Sequence, residues 1–208
     1  MNHRGILLVV SGFAGSGKGT LMKELMRRYD NYAFSVSATT RQPRPGEVHG
    51  REYFFMDKEQ FEQMIEHDEL LEHACYVGNY YGTPKFYVEE QLAAGKDVIL
   101  EIETQGALII KEKFPDSLLL FVMPPSVTEL HRRLVERGTE TPEVIASRMA
   151  RGRQEAEDIE KYDFLVVNDQ IDACVERLHG TIVSAHYATN RNIETIETIK
   201  KEFREFLE

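Results

Sequence analysis

Apolar positions in this chain follow two rhythms. Four short stretches each carry an unbroken apolar run: "GILLVVS" (5–11), "KDVILEIE" (96–103), "SLLLFVM" (117–123) and "FLVVND" (164–169). Strands covered on both faces read this way, because neither row of side chains meets water. Elsewhere the spacing lengthens to that of a helix. Leu21, Met22, Leu25 and Met26 share one face of a helix predicted over Lys18 to Tyr29. "SVTELHRRLVERG" (126–138) carries Ser126 and Glu129 at capping-box spacing and ends on Gly138. "TPEVIASRMARGRQEAEDIEKY" (141–162) opens with Thr141 as cap and Pro142 in the first turn. Strands alternating with helices predict an α/β fold: a parallel sheet flanked by helices.

Residues 34–83 break that alternation. "FSVSATTRQPRPGEVHGREYFF" (34–55) is rich in Pro, Gly and Arg. A helix capped by Asp57 follows, and then "LLEHACYVGNYYGTP" (70–84). Short strands and turns of this kind predict a small mixed α+β insertion. The tail "IETIETIKKEFREFLE" (193–208) is an amphipathic helix, expected to pack on the body.

The 208 residues suffice for one domain with a substantial core. No apolar run nears the roughly 20 residues of a membrane span, and "ILLVV" is too short for a signal peptide, so a cytoplasmic protein without membrane association is expected. Cys75 and Cys174 lie far apart and are expected to be reduced thiols. A net charge of −10 argues against nucleic acid as a partner and requires any anion site to be a local focus of cations.

Such a focus begins with "SGFAGSGKGT" (11–20). Gly12, Phe13, Ala14, Gly15, Ser16, Gly17 and Lys18 fit G-x-x-x-x-G-K between a predicted strand and a predicted helix. There, backbone N–H groups and the helix N-terminus face phosphates, and the lysine supplies charge beside the transferred group. Gly19 stands where this loop usually carries Ser or Thr for Mg²⁺, and the hydroxyl comes one residue later, at Thr20. In "TTRQPRPGE", Arg41 and Arg44 sit on a proline-stiffened turn suited to a second phosphate, although a solvated loop would read the same. Glu101 and Glu103 end a predicted strand and are expected on one face, toward the ligand crevice. Arg132, Arg133, Arg137, Arg148, Arg151 and Arg153 crowd the two helices flanking "GTETP", as in a lid that carries arginines onto phosphates. No His/Cys cluster has zinc spacing.

Taken in order, the phosphate loop, the Arg-rich turn, "LLEHACYVGNYYGTP", "DVILEIETQGA", "PPSVTELHRRLVERGTET" and "VVND" resemble the guanylate kinase family over nearly the whole chain. The resemblance implies a P-loop core (1–33, 95–125 and 156–208), a GMP-binding subdomain (34–94) and a helical lid (126–155). It implies ATP-dependent, Mg²⁺-dependent phosphorylation of GMP, with Lys18, Arg41, Arg137 and Arg148 as catalytic residues. ATP would be held by residues 12–20, with Asn168 near the adenine. Arg41, Arg44, Tyr53 and Tyr81 would grip the GMP phosphate, and Ser37, Glu72 and Thr83 would read guanine. Glu103 would lie near guanine and metal. Glu101 and Glu103 would act on the metal through its water rather than as direct ligands. A catalytically inactive binding module of the same fold is the alternative. A P-loop GTPase is not supported, because no Asn-Lys-x-Asp signature occurs.

Overall fold

The computed structural model describes residues 4–76, 78–138 and 140–207. The chain divides after Asp169 into two compact units. In the first, five strands among the described residues form a parallel sheet: β1 (Leu7–Gly12), β2 (Tyr32–Phe34), β7 (Asp97–Glu101), β8 (Leu118–Met123) and β9 (Phe164–Val167). Their order is β2-β7-β1-β8-β9. Leu7, Val9, Val98, Leu100 and Leu119 point to one face, where Val88 and Leu92 of α3 (Lys85–Ala93) and Ala107 and Ile110 of α4 (Thr104–Lys113) close the core. All of these side chains leave water almost completely, so this layer stabilises the unit.

The phosphate loop leaves the central strand β1 and runs into α1 (Lys18–Arg28), which buries Leu21, Met22 and Leu25. Gly12 lies beside β8 so closely that a Cβ would come 2.0 Å from the Val122 carbonyl oxygen, so no larger residue fits there. α5 (Val127–Glu136) and α6 (Pro142–Ala156) close over the loop. Leu130, Leu134 and Ile145 of these helices cluster with Phe13 and Phe121, whose rings meet edge to face at 5.0 Å.

A second sheet carries the insertion, in the order β4 (Phe54–Phe55), β3 (Ala38–Thr39), β6 (Asn79–Pro84) and β5 (Leu70–Tyr76). It is mixed: β3 runs parallel to β4 and antiparallel to β6. α2 (Lys58–Glu66) begins on the expected Asp57 cap, reciprocated by Gln60, and packs Phe61 against Ala38 and Leu70.

Three expectations are corrected. β9 is an edge strand rather than a doubly covered one; Phe164, Leu165 and Val167 are exposed and only Val166 of its residues is buried. β7 ends at Glu101, and Glu103 is the residue preceding the first turn of α4, so the two carboxylates do not share a strand face. In the second unit, α7 (Ile171–His186) buries Cys174, Val175, Leu178 and Ile182, but no described residue of the tail helix α8 (Ile193–Leu207) is buried. β2, a three-residue strand, was not among the expected strands. Cys75 is exposed and Cys174 buried, and the two are not joined in a disulfide, as expected.

Candidate functional site

Parallel strands deliver their C-terminal ends to one edge of a sheet, and ligands of open α/β folds sit outside that edge. Here the edge receives the phosphate loop from β1, Glu101 from β7 and Asn168 after β9. A cleft of about 820 Å³ is lined by Phe13, Ala14, Gly15, Gly17, Lys18, Gly19, Thr20, Lys23, Phe34, Glu101, Arg133, Arg137 and Arg148. Most of the donor-site residues expected from sequence are thus brought to one concave surface.

Within it, Lys18 folds back on the loop, its ammonium donating to the carbonyls of Gly12 (2.6 Å) and Phe13 (3.2 Å). Burial pushes that ammonium below the ordinary lysine value, while the carboxylates of Glu101, Glu155 and Glu103 oppose the shift. Ser16 is fully buried, and its hydroxyl has no partner in the protein. A buried hydroxyl left unpaired inside a loop of converging N–H groups is a donor available to a phosphate oxygen. Gly19 and Thr20 are exposed, and a Cβ at Gly19 would meet nothing within 4 Å.

Asn168 does not line the cleft. It is almost fully buried behind the loop, where its side-chain amide donates to the Ser16 carbonyl at 2.8 Å. Arg133, which lines the cleft, reaches both residues, donating to the carbonyls of Ser16 (3.3 Å) and Asn168 (2.9 Å). Sequence reading placed Arg133 only among a crowd of arginines; what sets it apart is a fold contact across 117 positions of chain.

The arginines expected on a lid differ from one another. Arg137 caps the C-terminal end of α5 and opens onto the cleft. Arg148, on α6, is paired with Glu140 at 2.6 Å. The second carboxylate oxygen of Glu140 and the Nε of Arg148 are buried without partners, so this pair has binding capacity unused. Glu103 is exposed and accepts from Arg151 of α6 at 2.5 Å.

The residues expected to hold GMP gather on the second sheet and its loops. Arg41 donates to Glu47 at 2.9 Å, and its guanidinium lies 5.3 Å from the Tyr53 ring centre and 5.7 Å from that of Phe55. Tyr81 stands edge-on to Tyr53 at 6.1 Å. Glu47 also accepts from the Arg44 N–H at 2.7 Å, which fixes the proline turn and leaves the Arg44 side chain exposed. Ser37 is half-buried and its carbonyl accepts from the Phe54 N–H. An irregularity in the β5–β6 pairing between Leu70 and His73 sets Glu72 beside Thr83, whose hydroxyl donates to the Glu72 carboxylate at 2.7 Å. Burial pushes the Glu72 carboxyl above its ordinary value, and the Thr83 hydrogen bond opposes this. Residues distant in sequence therefore form two polar clusters, one rich in cationic groups and one centred on a half-buried carboxylate.

The guanylate kinase family model matches residues 4–185. A guanylate kinase of Halalkalibacterium halodurans is 53% identical over 92% of this chain and 94% of its own length. One from Desulfitobacterium hafniense is 52% identical over 88% and 91%, respectively. Among solved structures, the crystal structure of guanylate kinase from Anaplasma phagocytophilum is similar with a TM-score of 0.72 and 30% identity, covering 96% of both chains. A phosphate loop on a parallel sheet, a mixed insertion carrying a half-buried carboxylate and a match across this much sequence agree: the chain belongs to the guanylate kinase family.

Proposed function

We propose that this chain is an enzyme that transfers the terminal phosphoryl group of ATP directly to GMP, forming ADP and GDP. The observation that carries the acceptor assignment is the Glu72 carboxylate, withdrawn from water and oriented by Thr83 on the second sheet. Guanine presents N1–H and its 2-amino group side by side, and one carboxylate accepts both. Adenine has no donor at either place, so it would leave the half-buried carboxylate with only its Thr83 partner. Ser37 completes the base contacts, while Arg41, Arg44, Tyr53 and Tyr81 hold the acceptor phosphate. None of these contacts involves the ribose 2′-hydroxyl, so dGMP is a second acceptor.

On the donor side, residues 12–20 enfold the ATP phosphates, and Arg137 and Arg148 meet the group in transit. The acceptor phosphate is already ionised near neutral pH and needs no general base. Catalysis is alignment and neutralisation of two anions brought together in line. The oxygen donors at the cleft, Glu101 foremost and Glu103 beyond it, suit Mg²⁺ held through its water shell, and bound Mg²⁺ supplies positive charge to the ATP phosphates. Retention of Lys18, Arg41, Arg137 and Arg148 favours this reading over an inactive binding module. The 1–33, 95–125 and 156–208 segments serve as core, 34–94 as the GMP-binding part and 126–155 as the lid. The setting is purine nucleotide metabolism in the cytoplasm; among the described residues no helix is long and apolar enough to cross a membrane.

A coupled assay of ADP release with GMP, AMP, CMP and UMP tests this proposal. GMP should exceed AMP in kcat/KM by a factor on the order of 10³. Equal rates with GMP and AMP would refute the acceptor assignment, and no turnover with any of the four would favour the binding module.

A further inference from the structure

We propose that Glu140 is a positioning residue for Arg148: its carboxylate holds one edge of the guanidinium and leaves the other for the phosphoryl group in transit. The inference rests on the proposed role of Arg148 and deepens it.

α5 gives way where Gly138 adopts a φ of +64°, and the chain turns toward α6. Glu140 comes directly before Thr141, whose side chain caps α6 by accepting from the Val144 N–H. Arg148 stands two turns into α6. Side chains of a helix lean toward its N-terminus, so Arg148 reaches back along α6, and its Nη2 lies 2.6 Å from Glu140 Oε1. Arg132 and Arg133 pair with Glu129 at the three- and four-residue spacings of any helix surface. The Arg148 partner instead lies off the helix altogether. The N-terminal end of a helix repels a lone cation, and the Glu140 charge offsets that repulsion.

The two side chains divide the work. Arg148 lines the cleft and is 39% exposed, whereas Glu140 is 12% exposed and is absent from the lining. The carboxylate therefore meets the arginine rather than the cleft. The pair is also half made. The Nε–Nη2 edge of a guanidinium matches both oxygens of a carboxylate. Here Nε of Arg148 and Oε2 of Glu140 are both buried without a partner. Buried groups left unpaired cost stability, so a pair serving stability alone would close both bonds. One contact at Nη2 lets the guanidinium pivot toward a phosphoryl group while the Nε–Oε2 bond forms. Without Glu140, Arg148 would wander over its rotamers, and misplacement by about 1 Å can cost a factor on the order of 10² in rate. The carboxylate also draws down the positive potential that Arg148 offers a phosphate. The two effects have opposite signs, so one measurement separates them.

Glu140→Gln keeps the shape without the charge, and Glu140→Asp keeps the charge but withdraws it by one methylene. Each is made in the parent and in an Arg148→Ala background. The readouts are the single-turnover rate of transfer from MgATP to GMP by rapid quench, steady-state KM for both nucleotides, and the thermal midpoint as a fold check. In the parent background the transfer rate should fall about tenfold, for loss of a charged hydrogen bond, with both KM values within about twofold of the parent. In the Arg148→Ala background the same substitutions should alter the rate by less than about twofold, because the group through which Glu140 acts is gone. Glu140→Asp keeps the proposal falsifiable if Glu140→Gln does not fold. A faster Glu140→Gln would overturn the proposal, since Glu140 would then only dampen the charge of Arg148. So would parental rates in both variants, or an equal loss in the two backgrounds, which would make Glu140 independent of Arg148. Parental transfer in Arg148→Ala itself, or a parent that transfers nothing to GMP, would instead sink the role proposed for Arg148, and this proposal with it.

Discussion

In the proposed reading of guanine, Glu72 trades stability for recognition. Its carboxyl is pushed above the ordinary carboxylate value mainly by burial. As pH rises past the ordinary value, the unfolded chain releases this proton while the folded protein keeps it. The folded state then binds more protons than the unfolded one, so stability falls with rising pH across the interval between the two pKa values. Below that interval the penalty is absent; above it, it is complete. Glu72→Gln removes the charge and keeps an oxygen to accept from Thr83. The variant should therefore melt at a higher temperature than the parent at pH 7, and the difference should shrink as the pH falls to about 4. The same variant should use GMP poorly, because an amide cannot accept from both guanine donors. A variant that melts no higher than the parent at pH 7 would show that burial of this charge carries no stability cost.

At the scale of elements, strands and helices with strong local patterns were readable from the chain, and long-range contacts were not. β1, β7 and β8 follow from runs of apolar residues, and the caps at Asp57, Ser126 and Thr141 follow from local side-chain chemistry. β2 spans only Tyr32–Phe34, too short for any period to emerge. β9 has the apolar run of an interior strand yet lies at the sheet edge, because sequence records hydrophobicity and not the number of neighbours. Of the site, the phosphate loop was legible because one contiguous segment builds it. The pairs Arg41–Glu47, Arg148–Glu140 and Arg133–Ser16 depend on where the chain returns, and no local pattern marks them. The tail helix is the clearest departure. Ile193, Ile199, Phe203, Phe206 and Leu207 are exposed, and the family match ends at residue 185. An element with no buried side chain contributes little to folding. Truncation after Asn192 should shift the thermal midpoint by less than about 2 °C, where 1 kcal/mol corresponds to roughly 2–4 °C in a chain of this size. Both nucleotide KM values should also be unchanged. A larger loss of stability would mean that α8 has a partner in solution.

For the molecule as a whole, charge decides how the proposed reaction is served. The protein carries −10 and must still gather two anionic nucleotides. Its overall field is screened beyond about 8 Å at physiological salt, so the cations lining the cleft govern binding at contact distance. Lys18, Lys23, Arg133, Arg137 and Arg148 face that cleft, and Glu101 is the carboxylate among its lining residues. Mg²⁺ favours six oxygen ligands in a strict octahedron and gives up water reluctantly, so a lone carboxylate holds it weakly. Among the described residues no three His, Cys, Asp or Glu side chains converge as a metal site. The ion should therefore arrive on the triphosphate, with water standing where other phosphate loops place a hydroxyl. Open space around Gly19 lets a serine be accommodated there without displacing a neighbour. Titration of the nucleotide-free protein with Mg²⁺ should give a Kd on the order of 1 mM or weaker. The initial rate should track formation of MgATP, and Gly19→Ser should alter the saturated rate by less than about twofold, because the added hydroxyl replaces a ligand that water already provides. A micromolar Mg²⁺ site on the empty protein, or a tenfold lower Mg²⁺ requirement in Gly19→Ser, would show that the chain itself and not the nucleotide recruits the metal.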